Sequence, residues 1–431
     1  MPGIGQSVRY GLPGFTLAFA ALPLYLLTPA LYAQQFGLGL GTIGLLLMLT
    51  RLTDAVADPF IGRFIDASKA ALWIWLSIGL MLMSLGLALL TNPQVLSSTD
   101  TAEHEFRLAL WLVACTLLVS LANSTATLAH QSWAVAWTAD AKGQARLIGA
   151  RELWALIGVI TAAGIAGQQS ATALGVVAIA SAVVAIVLTF DLRGHGRRSS
   201  QPHRQQVAWS ALLAQPKFQR LLAALGINAL ANSIPPTLIV FFLQDRLGAS
   251  PHQSSLLLAS YFIAAAAGVP LWSWASHRFQ TRRVWMAAMA VAILAFIWTL
   301  TLERGALTVF TVICLVTGFA LGAELVCPPM LLGRHIDRAG HRNQVEASYF
   351  GIWNLVIKLA LALAAGITLP ALAGLHYSPG DGSPGNNLAA LQWAYAGIPC
   401  GLKCCAILAL SFVDDHDPAS TPKRKEDHAS Y

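Results

Sequence analysis

One stretch of the chain, LTRLTDAVADPFIGRFID, sets Arg51, Asp54 and Asp58 at i, i+3 and i+7 within a largely apolar run. That spacing places all three on one face of a helix. Two carboxylates one turn apart in low dielectric cannot both stay ionised without compensation. Something positive must join them: the Arg51 guanidinium, a bound cation, or a proton on one carboxyl. Such a pair can serve as a coupling site, because a captured cation relieves the repulsion and its loss changes the energy of the closed state. The alternative is a structural network in which Arg51 neutralises one acid and the other faces a cytoplasmic funnel. In the same stretch Pro59 kinks the helix. Gly62 and Asp66 form a GxxxD that would cap or lock a neighbouring helix, a gating role.

Five other ionisable residues stand inside apolar runs, where such residues are costly and mark function. Lys358, in GIWNLVIKLALALAAG, must pair with a carboxylate, give up its proton or snorkel. Arg151 opens a span with Glu152 in LIGARELWALIG, near the cytoplasmic interface. Glu324 in GAELVCPP is a lone acid, equally suited to a substrate or proton role and to a structural pair. Lys403 reads as a snorkelling residue. His130 could meet a substrate or sit hydrogen-bonded in the core. With Arg151 and His130, the residues Trp133, Asn232, Tyr349 and Trp353 are candidates to line a substrate cavity, the aromatic ones by stacking or by packing alone.

The elements that must position these residues follow from composition. The 431 residues are 56% hydrophobic and 11% charged, against about 25% charged in soluble proteins, and mean hydropathy is +0.61. Twelve apolar runs near the ~20 residues that span a bilayer are predicted at 11–34, 41–66, 71–91, 108–137, 147–168, 171–190, 218–243, 253–276, 283–302, 306–333, 346–374 and 388–413. The first is too long for a signal-peptide core, lacks a small-residue cleavage site, and reads as a span. The six cysteines lie in apolar runs and read as small core residues.

Lys and Arg crowd the even-numbered connections and the tail, which places both termini and the central connection in the cytoplasm. The net charge of +7 is then a topology signal and does not indicate nucleic-acid binding. Nothing resembles a catalytic triad, a metal cluster or a phosphate loop, and the LGLG near Leu38 is a loop glycine cluster, so the chain is not an enzyme. The predicted organisation is a six-helix half over 1–190, a cytoplasmic linker over 191–217 containing RGHGRRSSQPHR, a second six-helix half over 218–413, and a cytoplasmic tail over 414–431.

Six plus six spans about a cytoplasmic linker is the plan of the major facilitator superfamily, in which two repeated halves enclose a substrate cavity. The segment Arg51-x-x-Asp54-Ala55-x-x-Asp58-Pro59-x-x-Gly62 resembles the glycoside–pentoside–hexuronide:cation symporters, the melibiose permease branch. Further likeness runs through Ala129 to Arg151, with Trp133 and Asp140; through Asn232, Pro235 and FFLQDRLG; and through Tyr349, Asn354 and Lys358. The resemblance implies an all-α membrane protein with the major facilitator fold. It also implies a cation site at Asp54 and Asp58, with Lys358 near it and Arg151 near the sugar site.

The chain departs from the family in helices 1 and 4, where sugar-binding members carry acids. GLPGFTLAFAALPLYLLTPALYAQ and TATLAHQSWAVAW have none. The residue before the second aspartate, Ala57, offers no neutral oxygen, which favours a proton over sodium as the coupling ion. The expectation is a monomeric, multi-pass transporter of a bacterial-type inner membrane, with the lipid bilayer and a small solute such as a sugar or glycoside as partners. H+ or Na+ would be its coupling ion, without other cofactors. Rival expectations are a proton-driven exporter of amphipathic compounds or lipids, and a transport-inactive assembly or sensor protein on the same fold.

Overall fold

The computed structural model describes residues 2–413 apart from 23, 25–27, 29–30, 33–37, 39, 94–100, 167–170, 197–207 and 378–386. The basic part of the expected linker, the tail and much of the second half of the expected first span thus lie outside the described residues. Those described contain helices and no strand. Twelve long helices follow one another: α1 (Ile4–Leu22), α2 (Leu40–Ala67), α3 (Leu72–Thr91), α4 (Thr101–Trp137), α5 (Ala141–Ala166) and α6 (Ala171–Thr189), then α7 (Pro216–Phe241), α8 (Pro251–Arg278), α9 (Thr281–Phe296), α10 (Leu307–Arg338), α11 (Glu346–Gly374) and α12 (Leu388–Ser411). A short helix, Trp209–Leu213, precedes α7. A π turn, Phe242–Arg246, prolongs α7, and another, Trp393–Gly397, interrupts α12.

Ten of these helices are long and apolar enough to cross a membrane among the described residues. The exceptions are α1 and α2. Helix α2 carries Arg51, Asp54, Asp58, Arg63 and Asp66 along its 28 residues, about 42 Å of helix at 1.5 Å per residue. Its acids face protein and its outer face is apolar: Asp54, Asp58 and Asp66 are buried, while Phe60 and Phe64 are exposed. Outward-facing apolar side chains on every helix are what a bilayer asks of a bundle.

Small residues let the helix backbones approach closely. In the first half, a Cβ at Gly158 of α5 would strike the carbonyl of Phe15 in α1. In the second, one at Gly318 of α10 would strike that of Tyr261 in α8. The halves meet chiefly along α2–α11 and α5–α8, with α4–α11 and α5–α10 beside them. Helix α5 starts at Ala141 rather than near 147, so Arg151 lies ten residues inside it and not at its opening.

Candidate functional site

Where α2, α4 and α11 meet, the two acids of α2 share one cation. Lys358 Nζ lies 2.8 Å from Asp54 Oδ2 and 2.9 Å from Asp58 Oδ2. It also donates to Asp58 Oδ1 at 2.9 Å and to Ser124 Oγ at 2.9 Å. Ser124 in turn donates to Asp54 Oδ1 at 2.8 Å. The Asp58 side chain is fully buried and that of Asp54 nearly so, whereas Lys358 is 25% exposed. With both acids ionised the group would carry one net negative charge, and its ammonium comes from the other half of the chain. Lys358 thus stands where the family resemblance set it, whereas Arg51, one of three positive partners the sequence left open, lies on an exposed face of α2.

Backbone contact holds this arrangement. A Cβ on Gly351 of α11 would lie 2.6 Å from the Asp58 carbonyl oxygen, and one on Gly62 of α2 would strike the carbonyl of Ala347. Only glycines let α2 and α11 run this close. Pro59 has no N–H to give the carbonyl of Ala55, so α2 is weakened where the acids sit. One turn on, Asp66 accepts the N–H groups of Ala347 at 3.2 Å and Ser348 at 2.6 Å. These are first-turn amides of α11, whose own N-cap residue, Val345, gives no side-chain bond. A carboxylate from one half therefore caps a helix of the other, where the helix dipole favours negative charge.

Nearby, Asn354 donates to Gln131 Oε1 at 3.2 Å, tying α11 to α4. At the linker end, Gln144 of α5 reaches Asp337 of α10 at 3.5 Å.

A second buried ion pair lies within the C-terminal half. Lys403 of α12 sits 2.8 Å from Glu324 Oε1, and its other contact is Asn228 Oδ1 at 3.2 Å. Glu324 Oε2 accepts from Asn228 at 2.6 Å, Trp285 Nε1 at 2.9 Å and Asn232 at 3.4 Å. Lys403 does not snorkel, since its ammonium is spent on this carboxylate.

Several expected cavity residues are placed in packed interior. His130 is fully buried. Its Nε2 meets the Tyr10 carbonyl at 2.8 Å, while the Tyr10 hydroxyl donates to the His130 carbonyl at 2.6 Å. That reciprocal pair fastens α1 to α4 and leaves the ring no view of a cavity. Trp133 is buried beside it and donates to the His195 carbonyl at 2.9 Å. Tyr349 is buried at the linker end, bonded to His341 and Gln215, and Trp353 is packed in the same core. Arg151 is paired with its neighbour Glu152, and both are mostly buried. Asn232 lines a cavity whose walls all come from the C-terminal half.

Ser124, Gln131, Asn228 and Trp285 take part without having been singled out from the sequence. Ser124 stands in SLANSTATLAHQSW among other hydroxyl and amide residues, and nothing local distinguishes it. It places a neutral oxygen beside the two acids, where Ala57 has none.

The family model for MFS/sugar transport proteins matches residues 8–414. The isoprimeverose transporter of Lactiplantibacillus pentosus is 21% identical over 468 residues, covering 98% of this chain and 92% of the relative. Among solved structures, a bacterial homologue of the iron transporter ferroportin in its outward-facing state is similar at TM-score 0.73 and 12% identity, over 95% of this chain and 98% of that one. The E. coli fucose:proton symporter is similar at TM-score 0.64 and 12% identity, over 96% and 98%. At these identities the structural likeness is one of fold.

Proposed function

The chain belongs to the MFS/sugar transport protein family, a multi-pass membrane transporter with the major facilitator fold, and we propose that it is a cation-coupled symporter of a small polar solute such as a sugar or glycoside. One observation carries the reading: an ammonium from the C-terminal half bridges two acids of the N-terminal half. In this mechanism the coupling cation, H+ or Na+, is cargo received by Asp54, Asp58 and Ser124. Its arrival adds the missing positive charge and weakens the hold of the acids on Lys358. Helices α2 and α11 can then part, Asp66 releases the α11 amides, and the halves rock about the solute. Without the cation, Lys358 restores neutralisation and the empty carrier closes again.

The remaining parts of the proposal concern orientation and state. The halves over 1–190 and 218–413 act as the two moving bodies. Basic connections keep both termini and the linker in the cytoplasm of a bacterial-type inner membrane, and the chain works as a monomer. The L. pentosus relative, by its name, moves isoprimeverose, and this sugar is the first solute to try.

Purified protein in liposomes, given labelled isoprimeverose under an imposed inward sodium or proton gradient, tests the reading. Accumulation above the outside concentration under one gradient, lost in Asp58→Asn, is the expected result. No gradient-driven accumulation of any sugar or glycoside overturns symport. The apolar walls of the cavity in the C-terminal half favour a second reading, export of amphipathic compounds, which predicts proton-driven efflux and no accumulation.

A further inference from the structure

A cavity of about 360 Å³ lies inside the C-terminal half, lined by α7, α8, α9, α10 and α12. It has no lining residue from the N-terminal half or from α11, so it is separate from the acids of α2. Its volume falls in the range of small-molecule sites. Its walls are aromatic and aliphatic, among them Tyr261, Phe262, Phe296, Phe310 and Tyr395, and its polar end is Glu324, Lys403 and Asn232.

That end has unused hydrogen-bonding capacity. Two of the three Lys403 N–H bonds go to Glu324 and Asn228. The third meets no acceptor among the described residues. Asn232 gives only one long bond, 3.4 Å to Glu324. Helix α7 adds acceptors at the same level. Pro235 and Pro236 lie inside it and have no N–H to give the carbonyls of Ala231 and Asn232. Both of those residues line the cavity. Proline-interrupted spans with released carbonyls mark ligand sites in transporters, and a carbonyl at membrane depth needs a donor.

The chemistry of the occupant follows. Glu324 and Lys403 cancel, so a charged head group would bring an unbalanced charge into low dielectric. The free donors and free acceptors together call for a group that does both, a neutral cluster of hydroxyls. The walls call for an apolar body. We infer that this cavity binds a neutral amphiphile, a glycoside of an apolar alcohol, with its hydroxyls on Lys403, Asn232 and the α7 carbonyls and its chain against Tyr261 and Phe296. The choice of a glycoside head rests on the transport reading above, whereas the neutral amphiphile follows from the cavity.

The test uses the full chain in nanodiscs of neutral phospholipid and an octyl β-glucoside carrying a diazirine on its chain. The expected result is labelling of α8 and α9 peptides around Tyr261 and Phe296 that excess unlabelled octyl β-glucoside suppresses. Asn232→Leu should raise the half-saturating probe concentration roughly tenfold, the worth of about one hydrogen bond. Thr317→Trp, which fills the cavity from α10, should abolish the competed label. Thr317→Leu serves if the larger side chain prevents folding, and should weaken the label several-fold. Labelling confined to lipid-facing peptides, or insensitive to competitor and to these variants, overturns the inference. Uptake of isoprimeverose with no competed label sinks this site alone. Competed label in a chain that accumulates no sugar sinks symport alone.

Discussion

The Lys358 ammonium lies 2.9 Å from the Asp58 carboxylate, and the two residues are 300 positions apart, on helices of opposite halves. The ion pair is therefore also a mechanical contact. Whatever changes the charge on α2 changes how tightly α11 is held, and the glycines that let these helices touch make the contact short enough to matter.

If Asp54 and Asp58 receive the coupling cation, neutralising either one uncouples transport from the gradient. Asp58→Asn and Asp54→Asn should each lower gradient-driven accumulation by about 5- to 150-fold, the usual range of a coupling free energy. Exchange of labelled for unlabelled solute at equal concentrations should survive. Liposome uptake measured both ways checks this, and equal loss of both activities would argue against a coupling role.

Lys358→Met leaves two buried acids without a counter-charge. Breaking one side of a buried pair costs about 3–5 kcal/mol, so the thermal midpoint should fall markedly. Adding Asp58→Asn removes one of the stranded charges and should recover part of the loss. Thermal unfolding of the single and double variants measures the interaction as a double-mutant cycle. Strictly additive effects would mean that the two residues do not act on each other.

The Asp66 cap on α11 should hold the linker end closed. Loss of a capping side chain costs about 0.5–2 kcal/mol, so Asp66→Ala should expose the α2–α11 contact from about twofold to about thirtyfold more often. A cysteine replacing the buried Ser348 reports this by its alkylation rate, with the exposed Cys404 and Cys405 changed to serine. Gly351→Val, which drives a side chain into the Asp58 carbonyl, should speed alkylation in the same direction.

His341 lies in the turn between α10 and α11 and bonds through Nδ1 to the Tyr349 hydroxyl at 2.9 Å. Burial holds its pKa below the usual imidazole value. Folding therefore disfavours the protonated ring. Its contribution to stability is complete above the ordinary histidine value and is lost as pH falls through that value towards the lowered one. The thermal midpoint should drop between about pH 7 and pH 5, and His341→Gln should flatten that part of the profile.

Much of the architecture was legible because each piece depends on local pattern. Apolar runs of bilayer length need no partner to be read, and Asp54 and Asp58 share a face by spacing alone. Ranges failed where helices extend past the apolar core, as at Ala141. His130, Trp133 and Tyr349 stayed open between a cavity role and packing because both draw on the same side chains. Only their bonds to Tyr10, His195, His341 and Gln215 tell the uses apart.

By itself the sequence determined that this chain lives in a bilayer as a helical bundle and that two acids on its second helix need a positive partner. Both follow from solvation, which depends on composition and on neighbours along the chain. The family resemblance already set Lys358 near the pair; the tertiary structure alone decided that its ammonium bridges both acids while Arg51 lies on an exposed face, that Ser124 joins them, and that Lys403 turns inward to Glu324. Those choices rest on which helices pack together across hundreds of residues, and no local spacing encodes them.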